Sequence, residues 1–316
     1  MSVNASPTNP GPGKPTVCYV VTANADSAYP AMLCISVGAL KRVEPEARVA
    51  LLTTEASLEH IRRQLPAVDD VVDEIVCRAV PDDLPAMKAS RYLKTNIRRF
   101  VDGPLIFVDV DTLPVRPFLS QFDLSRYDLI AAADLNPGFP YPFFPGHGRR
   151  TYEALGWACP TRHYVNSGVM GWADSPAAHL LSAAWYAGWQ ETSERGVNVD
   201  QPSLNHAIDT QDAELGLLPK SYNAMVAASP WLARNAHILH FYTEKGRPDE
   251  NTVLAELLDA FERTGEVDWG LVDRAARGDV WRKKPPVAVW IKGIVPLRKL
   301  WHRFTGARRE FSLRRD

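Results

Sequence analysis

Residues 16–22 (TVCYVVT) are apolar and β-branched with no polar alternation, the pattern of a strand buried on both faces. Residues 47–53 (ARVALLT) repeat it, and 71–76 predict a third strand. Between them, the Ala, Leu, Ile and Val spacing of 29–40 suits a helix packed on the first strand, and 58–65 predict a second helix. This β-α-β-α-β alternation predicts an α/β fold of Rossmann-like type, a mostly parallel central sheet with helices on its faces.

Residues 90–101 (SRYLKTNIRRFV) predict a helix, with Tyr92, Ile97 and Phe100 on or near an apolar face and Arg91, Lys94, Arg98 and Arg99 elsewhere. It leads into 104–115 (PLIFVDVDTLPV), where the apolar run Leu105 to Val108 delivers Asp109, Val110 and Asp111 to the end of a buried strand. Thr112, Leu113 and Pro114 are expected to break that strand off. Side chains two apart on a strand face the same way, so both carboxylates are expected on one side. Unpaired, they repel each other and cost folding free energy. A divalent cation removes the repulsion and turns the pair into a seat for diphosphate oxygens. In the plainer alternative, one aspartate caps a helix and the other faces water.

Further along, 129–133 predict a short strand ending at Asp134. Residues 135–145 (LNPGFPYPFFP) are too rich in proline for regular structure and read as a partner-binding lid. Residues 164–172 (YVNSGVMGW) predict a strand interrupted at Asn166, Ser167 and Gly168. An amphipathic helix is expected at 177–189, and 200–208 (DQPSLNHAI) opens like a helix N-terminus, with an acid and an early proline. Extended segments at 217–223 and 236–241 and a helix at 252–264 complete the body.

Composition bounds the function. The chain has 316 residues, 46% of them hydrophobic, enough for one large domain, and no apolar run long enough to span a membrane. Its four cysteines, Cys18, Cys34, Cys77 and Cys159, are scattered, which fits a reducing cytoplasm better than a disulfide framework. Residues 1–15, rich in Pro, Gly, Ser and Asn, read as a disordered leader. The formal net charge of -1 conceals a basic end. Residues 266–316 are expected to form a basic helical extension beyond a 16–265 domain. Within it, 288–304 (AVWIKGIVPLRKLWHRF) mixes aromatic and aliphatic residues with lysines and arginines. That composition suits peripheral contact with anionic lipid at the inner face of a membrane, or docking on the acidic body. With the rest acidic and no recognised module, nucleic acid is not an expected partner.

A nucleotide-sized β-α start, a basic helix feeding apolar-Asp-x-Asp, Asn-Ser-Gly-Val, Asp-Gln with Leu-Asn, and a late His-Phe followed by lysine, arginine and proline occur in that order. This order resembles the GT-A glycosyltransferases, most closely family 8, the retaining galactosyl- and glucosyltransferases that include glycogenin. The resemblance covers about 16–248 and implies a single GT-A domain that moves a hexose from a UDP-sugar. It implies Mn2+, or Mg2+, on Asp109, Asp111 and His240. It assigns the nucleoside to Thr22, Ala23, Asn24 and Tyr29, with Asp26 as a further partner and Val110 inside the metal motif. The diphosphate is assigned to Lys245 or Arg247, with Arg91 and Lys94 as further candidates. The sugar is assigned to Asp134, Asn166, Ser167 and Gly168, and Asp200 and Gln201 are placed nearest the reacting carbon. The acceptor, a saccharide, a lipid-linked chain or a protein, is left open. The chain departs from the family pattern at Pro202, where a second aspartate is usual, and at Asp249, where tryptophan follows the proline.

Two rivals carry different chemistry. A haloacid-dehalogenase-type phosphatase also uses apolar-Asp-x-Asp, but usually on its first strand and with a later acidic pair, and here three strands come first. A sugar-nucleotide-binding protein without turnover would need no intact metal set.

Overall fold

The computed structural model describes residues 14–81, 84–134, 146–160, 163–226, 230–244 and 246–283. The predicted 135–145 lid, Lys245, and the 288–304 segment lie outside these. The first half alternates as its pattern requires: β1 (Thr16–Val20), α1 (Tyr29–Val43), β2 (Val49–Thr53), α2 (Glu55–Gln64), the single turn α3 (Val68–Val71) and β3 (Glu74–Cys77). Helix α1 has Pro30 in its first turn, where the missing N–H is no loss, and Lys41 and Arg42 in its last, where the helix dipole favours cations. Helix α2 is capped by Thr54, whose hydroxyl accepts the Ser57 N–H at 3.1 Å. Val71 belongs to α3, so the third strand starts later than the sequence pattern placed it.

The predicted 90–101 helix is two: α4 (Ala86–Thr95) and α5 (Ile97–Phe100). Asn96 divides them: its side-chain amide also bonds the Tyr92 carbonyl, a local side-chain alternative that competes with helix propagation. Then come β4 (Leu105–Val108), β5 (Thr112–Pro114), β6 (Leu129–Ala133), α6 (Gly146–Leu155), β7 (Val165–Trp172), α7 (Pro176–Glu194), α8 (Gln201–Thr210) and β8 (Leu215–Leu218). Residues 220–223 form a 3-10 turn in place of a continued strand. The chain closes through β9 (Ala224–Met225), α9 (Pro230–Ala233), β10 (Ile238–His240), the hairpin strands β11 (Thr243–Glu244) and β12 (Arg247–Pro248), α10 (Val253–Thr264) and α11 (Trp269–Ala276).

The central sheet has seven strands in the order β3-β2-β1-β4-β7-β6-β8, and only β7 runs antiparallel to its neighbours. Strand alternation divides the core. Val17, Tyr19, Val49, Leu51, Ile106 and Val108 face α1, α10 and a second small sheet. Cys18, Val20, Ala50, Leu52, Leu105 and Phe107 face α4, α5, α7 and α8. Both faces are buried, which is why these strands read as continuous apolar runs. Val272, Ala275 and Val280 join the first of these clusters, so the packed body continues past Gly265. All four cysteines are free. Among the described residues, no helix is long and apolar enough to cross a membrane.

Trp185 stands at the centre of the second cluster. It is fully buried, stacks on Trp172 with ring centroids 5.8 Å apart, and its indole N–H donates to the Asp200 carbonyl at 2.9 Å. Trp185→Ala leaves a large cavity between β7 and α7, so urea unfolding should register a loss of about 3–5 kcal/mol.

Candidate active site

The chain turns sharply at the carboxyl end of β4. The Asp109 N–H donates to the Gly168 carbonyl at 2.8 Å, and the Thr112 N–H and hydroxyl both return to the Asp109 carbonyl. Residues 112–114, expected only to end the strand, start a second sheet of order β5-β10-β9. In that sheet β10 pairs antiparallel with β5 and sets His240 opposite Thr112. Pro114 is tolerated because β5 is an edge strand. The two carboxylates thus converge through a turn and not by strand alternation. Val110, between them, points into the core, which leaves only its backbone for a ligand.

One ligand atom each from Asp109, Asp111 and His240 fall within 4.8 Å of one another. His240 Nε2 lies 3.4 Å from Asp111 Oδ1, while its Nδ1 is 2.8 Å from Asn223 Oδ1. Beyond His240, left-handed backbone at Tyr242 (φ 38) reverses the chain, and Thr243 returns to bond Asp111 Oδ2 through both N–H and hydroxyl at 3.1 Å. Two hard oxygen ligands and an imidazole with its second nitrogen engaged fit a divalent cation of the Mn2+ or Mg2+ type.

The electrostatics are asymmetric. Burial pushes the Asp109 carboxyl above its usual range, although Lys94 opposes the shift. Burial acts the same way on Asp111, but His240, Thr243 and Lys94 outweigh it and hold that carboxyl down at about 2. Lys94 Nζ reaches both oxygens of Asp109 at 3.2 Å and Asp200 Oδ2 at 3.5 Å, and lies 4.6 Å from the centre of the Phe107 ring. Its side chain is 2% exposed, so its partners are internal. Arg91 meets Asp200 Oδ1 at 3.2 Å and keeps an open side, 31% exposed.

Asn166, Ser167 and Gly168 lie within β7, at the irregularity where its register with β6 shifts: Ala131 pairs with Met170 and Ala133 with Val165. Gly168 is required by contact: a Cβ there would fall 2.7 Å from His240 Nδ1 and nearer still to Cε1. Asn166 Nδ2 donates to Asp134 Oδ1 at 3.2 Å and Gln201 Oε1 at 3.1 Å. Asp200 occupies the N-cap position of α8, and Gln201 is its first residue.

At the end of β1, Thr22 and Ala23 are buried and Asn24 and Asp26 exposed. The Ala23 N–H bonds Ser57 Oγ at 3.2 Å, and the Asn24 carbonyl accepts from Gln64 at 3.1 Å. Tyr29, half-buried, is coupled to the carboxylates: burial and then Asp111 push its phenol up. Arg247 is not drawn into this cluster; it pairs with Glu262 on α10 at 2.9 Å. Two residues that sequence reasoning missed, Asn223 and Thr243, hold His240 and Asp111. Asn223 ends a segment that reads as extended chain, and Thr243 stands where only basic residues draw attention.

No protein-family model matches the chain, and no curated protein matches it in sequence. Solved structures do. The galactosyltransferase LgtC, in complex with donor and acceptor sugar analogues, is 15% identical over 73% of this chain and 87% of its own, with a TM-score of 0.51. The fold is that of the GT-A glycosyltransferases. The bifunctional glycosyltransferase WbbM matches this GT-A chain over 82% of its length at 14% identity and TM-score 0.53, and the match spans 51% of WbbM. The glycosyltransferase GlyE of Streptococcus pneumoniae TIGR4 matches at 15% identity and TM-score 0.50, over 86% of this chain and 67% of its own.

Asp200 supplies a test of the GT-A chain's charge network. Burial would raise its carboxyl, but Arg91, Lys94 and Ser167 bring it down to about 2. Such a group contributes stability that is present above the unfolded value near 4 and is lost as pH falls toward 2. Asp200→Asn should therefore destabilise the protein by about 2 kcal/mol at pH 7, with the gap to wild type narrowing below pH 4. Urea unfolding at several pH values checks this.

Proposed function

We propose that this chain is a metal-dependent glycosyltransferase of the family 8 type, moving a hexose from a UDP-sugar to an acceptor hydroxyl with retention. The observation that carries the reading is the convergence of Asp109, Asp111 and His240 at the end of β4, with Asp134, Asp200 and Gln201 beside them. Asp109, Asp111 and His240 would hold the cation. When bound, Mn2+ or Mg2+ supplies Lewis-acid neutralisation of the diphosphate charge.

The chain's own residues supply the rest. Thr22, Ala23, Asn24, Asp26 and Tyr29, at the carboxyl end of β1, line the place where an open α/β sheet takes a nucleoside. Arg91, partly exposed beside Asp109 and Asp111, is the arginine for the phosphates. Lys245 and Arg247 are assigned to the same diphosphate by their place after His240, and Arg247 would leave Glu262 to reach it. Lys94 fixes Asp109 and Asp200 from within. Asp134 and Asp200 bind sugar hydroxyls, and a donor with one of those hydroxyls missing or inverted would forfeit the bond.

Gln201 Oε1 accepts from Asn166 Nδ2 and, at 3.4 Å, from the Ser167 N–H. An amide oxygen held by two donors is a poor nucleophile, which favours front-face transfer over a glycosyl-enzyme. The bond from the anomeric carbon to the diphosphate oxygen breaks as the acceptor oxygen bonds the same face. The acceptor proton passes to the departing phosphate. Asp200 and the surrounding dipoles stabilise the positive charge that develops on the sugar ring.

A thermal-shift panel of nucleotide sugars tests this. With Mn2+ and donor at about 100 times its dissociation constant, one UDP-sugar should raise Tm by about 5–10 °C. EDTA or Asp111→Asn should abolish the shift, and that donor should turn over with Mn2+. A panel in which no donor gives a metal-dependent shift or turnover rejects the reading.

The basic, aromatic stretch at 288–304 leads us to assign the chain to the cytoplasmic face of a membrane, near a lipid-linked acceptor. The full chain should co-sediment with anionic liposomes at low salt, and a chain ending at Lys283 should not. Equal binding by both would reject membrane contact.

A further inference from the structure

The hydrogen bonds around His240 have a direction, and it can be read from backbone groups that permit only one role. The Gly168 N–H is a donor and bonds Asn166 Oδ1 at 2.8 Å, which identifies that atom as the carbonyl of Asn166. The same oxygen takes a second bond at 2.8 Å from Asn223, whose Nδ2 must then be the donor. Asn223 therefore turns its carbonyl, Oδ1, toward His240 Nδ1 at 2.8 Å, and only a protonated Nδ1 can meet it. The proton of a neutral His240 is fixed on Nδ1, and the lone pair of Nε2 is aimed at Asp111.

The other end of Asn166 is fixed in the same way. Its Nδ2 donates to Asp134 Oδ1 and Gln201 Oε1, and the Ser167 N–H, again donor only, also meets Gln201 Oε1. Both lone pairs and both amide hydrogens of Asn166 are thus used inside the protein. With Asn166 7% and Asn223 1% exposed, water does not compete for these bonds. Asn166, which the sequence resemblance assigned to sugar binding, has no hydrogen-bonding capacity left for a sugar hydroxyl.

We propose that Asn223 and Asn166 form a positioning relay that presents His240 Nε2 to the cation and, through the same amide chain, holds Gln201 and Asp134 in place for the sugar. Asn223 is a positioning residue, acting on the cation site through His240 and on the sugar side through Asn166. This rests on the cation-site reading above and adds that the two halves of the site are joined. An imidazole free to take the other tautomer would present N–H to the cation and could not ligate it through Nε2. Partners of this kind are worth about 10–100-fold in metal affinity.

Two variants separate the functions of the relay. Asn223→Leu removes the acceptor for His240 and the donor for Asn166. Asn223→Asp keeps an acceptor for His240 Nδ1 and loses the donor. Long-range 1H–15N spectra of the histidine rings in the metal-free full chain read the tautomer, and electron paramagnetic resonance titration reads Mn2+ binding. At a pH where the ring is neutral, wild-type His240 should be the Nδ1–H tautomer. In Asn223→Leu that signature should be lost and the Mn2+ dissociation constant should rise about 10–100-fold. In Asn223→Asp both should stay near wild type, while kcat with the donor found by thermal shift falls about tenfold.

A folded Asn223→Leu protein with wild-type tautomer and Mn2+ affinity overturns the relay. If that variant does not fold, an Asn223→Asp protein that loses the tautomer, or keeps wild-type kcat, overturns it. Wild type that binds no Mn2+ rejects the cation reading instead, and the tautomer spectra still decide whether Asn223 controls His240.

Discussion

The antiparallel pairing of β10 with β5 is the contact on which this site depends. Asp109 and Asp111 are delivered by a strand at the centre of the main sheet, and His240 comes from far later in the chain. The two meet because Thr112 pairs with His240, and the Phe241 N–H then bonds the Asp111 carbonyl at 2.9 Å. A slip of one residue in that pairing would turn the imidazole to the opposite face. Val115 and Arg116, whose N–H groups both bond the His237 carbonyl, secure the register from the other end.

Charge balance is the second constraint. Among the described residues, the cations that meet Asp109 and Asp200 are Lys94 and Arg91, so with Asp111 these three carboxylates against two cations leave one negative charge in excess when His240 is neutral. Buried ions repay their desolvation only with good geometry and further hydrogen bonds. Lys94 meets this by touching Asp109, Asp200 and Ser167 at once, and Asp111 meets it through Thr243. The excess charge sits where His240 and the two motif aspartates converge, which makes that spot electrostatically suited to a dication.

The alternating core was legible because strands buried on both faces leave continuous apolar runs, and β1, β2 and β4 lie where those runs are. Asp109, Asp111 and His240 were legible because their order along the chain resembles a known family. What the sequence obscured is the work done by neutral amides. Asn223 reads as the end of an extended segment and Asn166 as a break in a strand, and their importance arises from side-chain orientation across three elements, which no periodicity encodes. The break at Asn96 was hidden for a related reason, since the helical spacing continues through it. The resemblance made Lys94 a candidate for the diphosphate, and helix pattern alone does not place it beneath the carboxylates, where its ammonium is enclosed.

Gly168 and His240 fill each other's space, since the imidazole occupies the volume that a side chain at position 168 would need. The two positions are therefore not independent in the evolution of this fold. A side chain can be gained at 168 only after the ring at 240 has shrunk or moved and Asn166 Oδ1, 2.9 Å from the same Cβ position, has given way as well. In a lineage of such chains, Gly168 should change only where His240 has already been lost. The glycine then serves as a record, readable without a structure, of whether the late histidine still reaches the carboxylates.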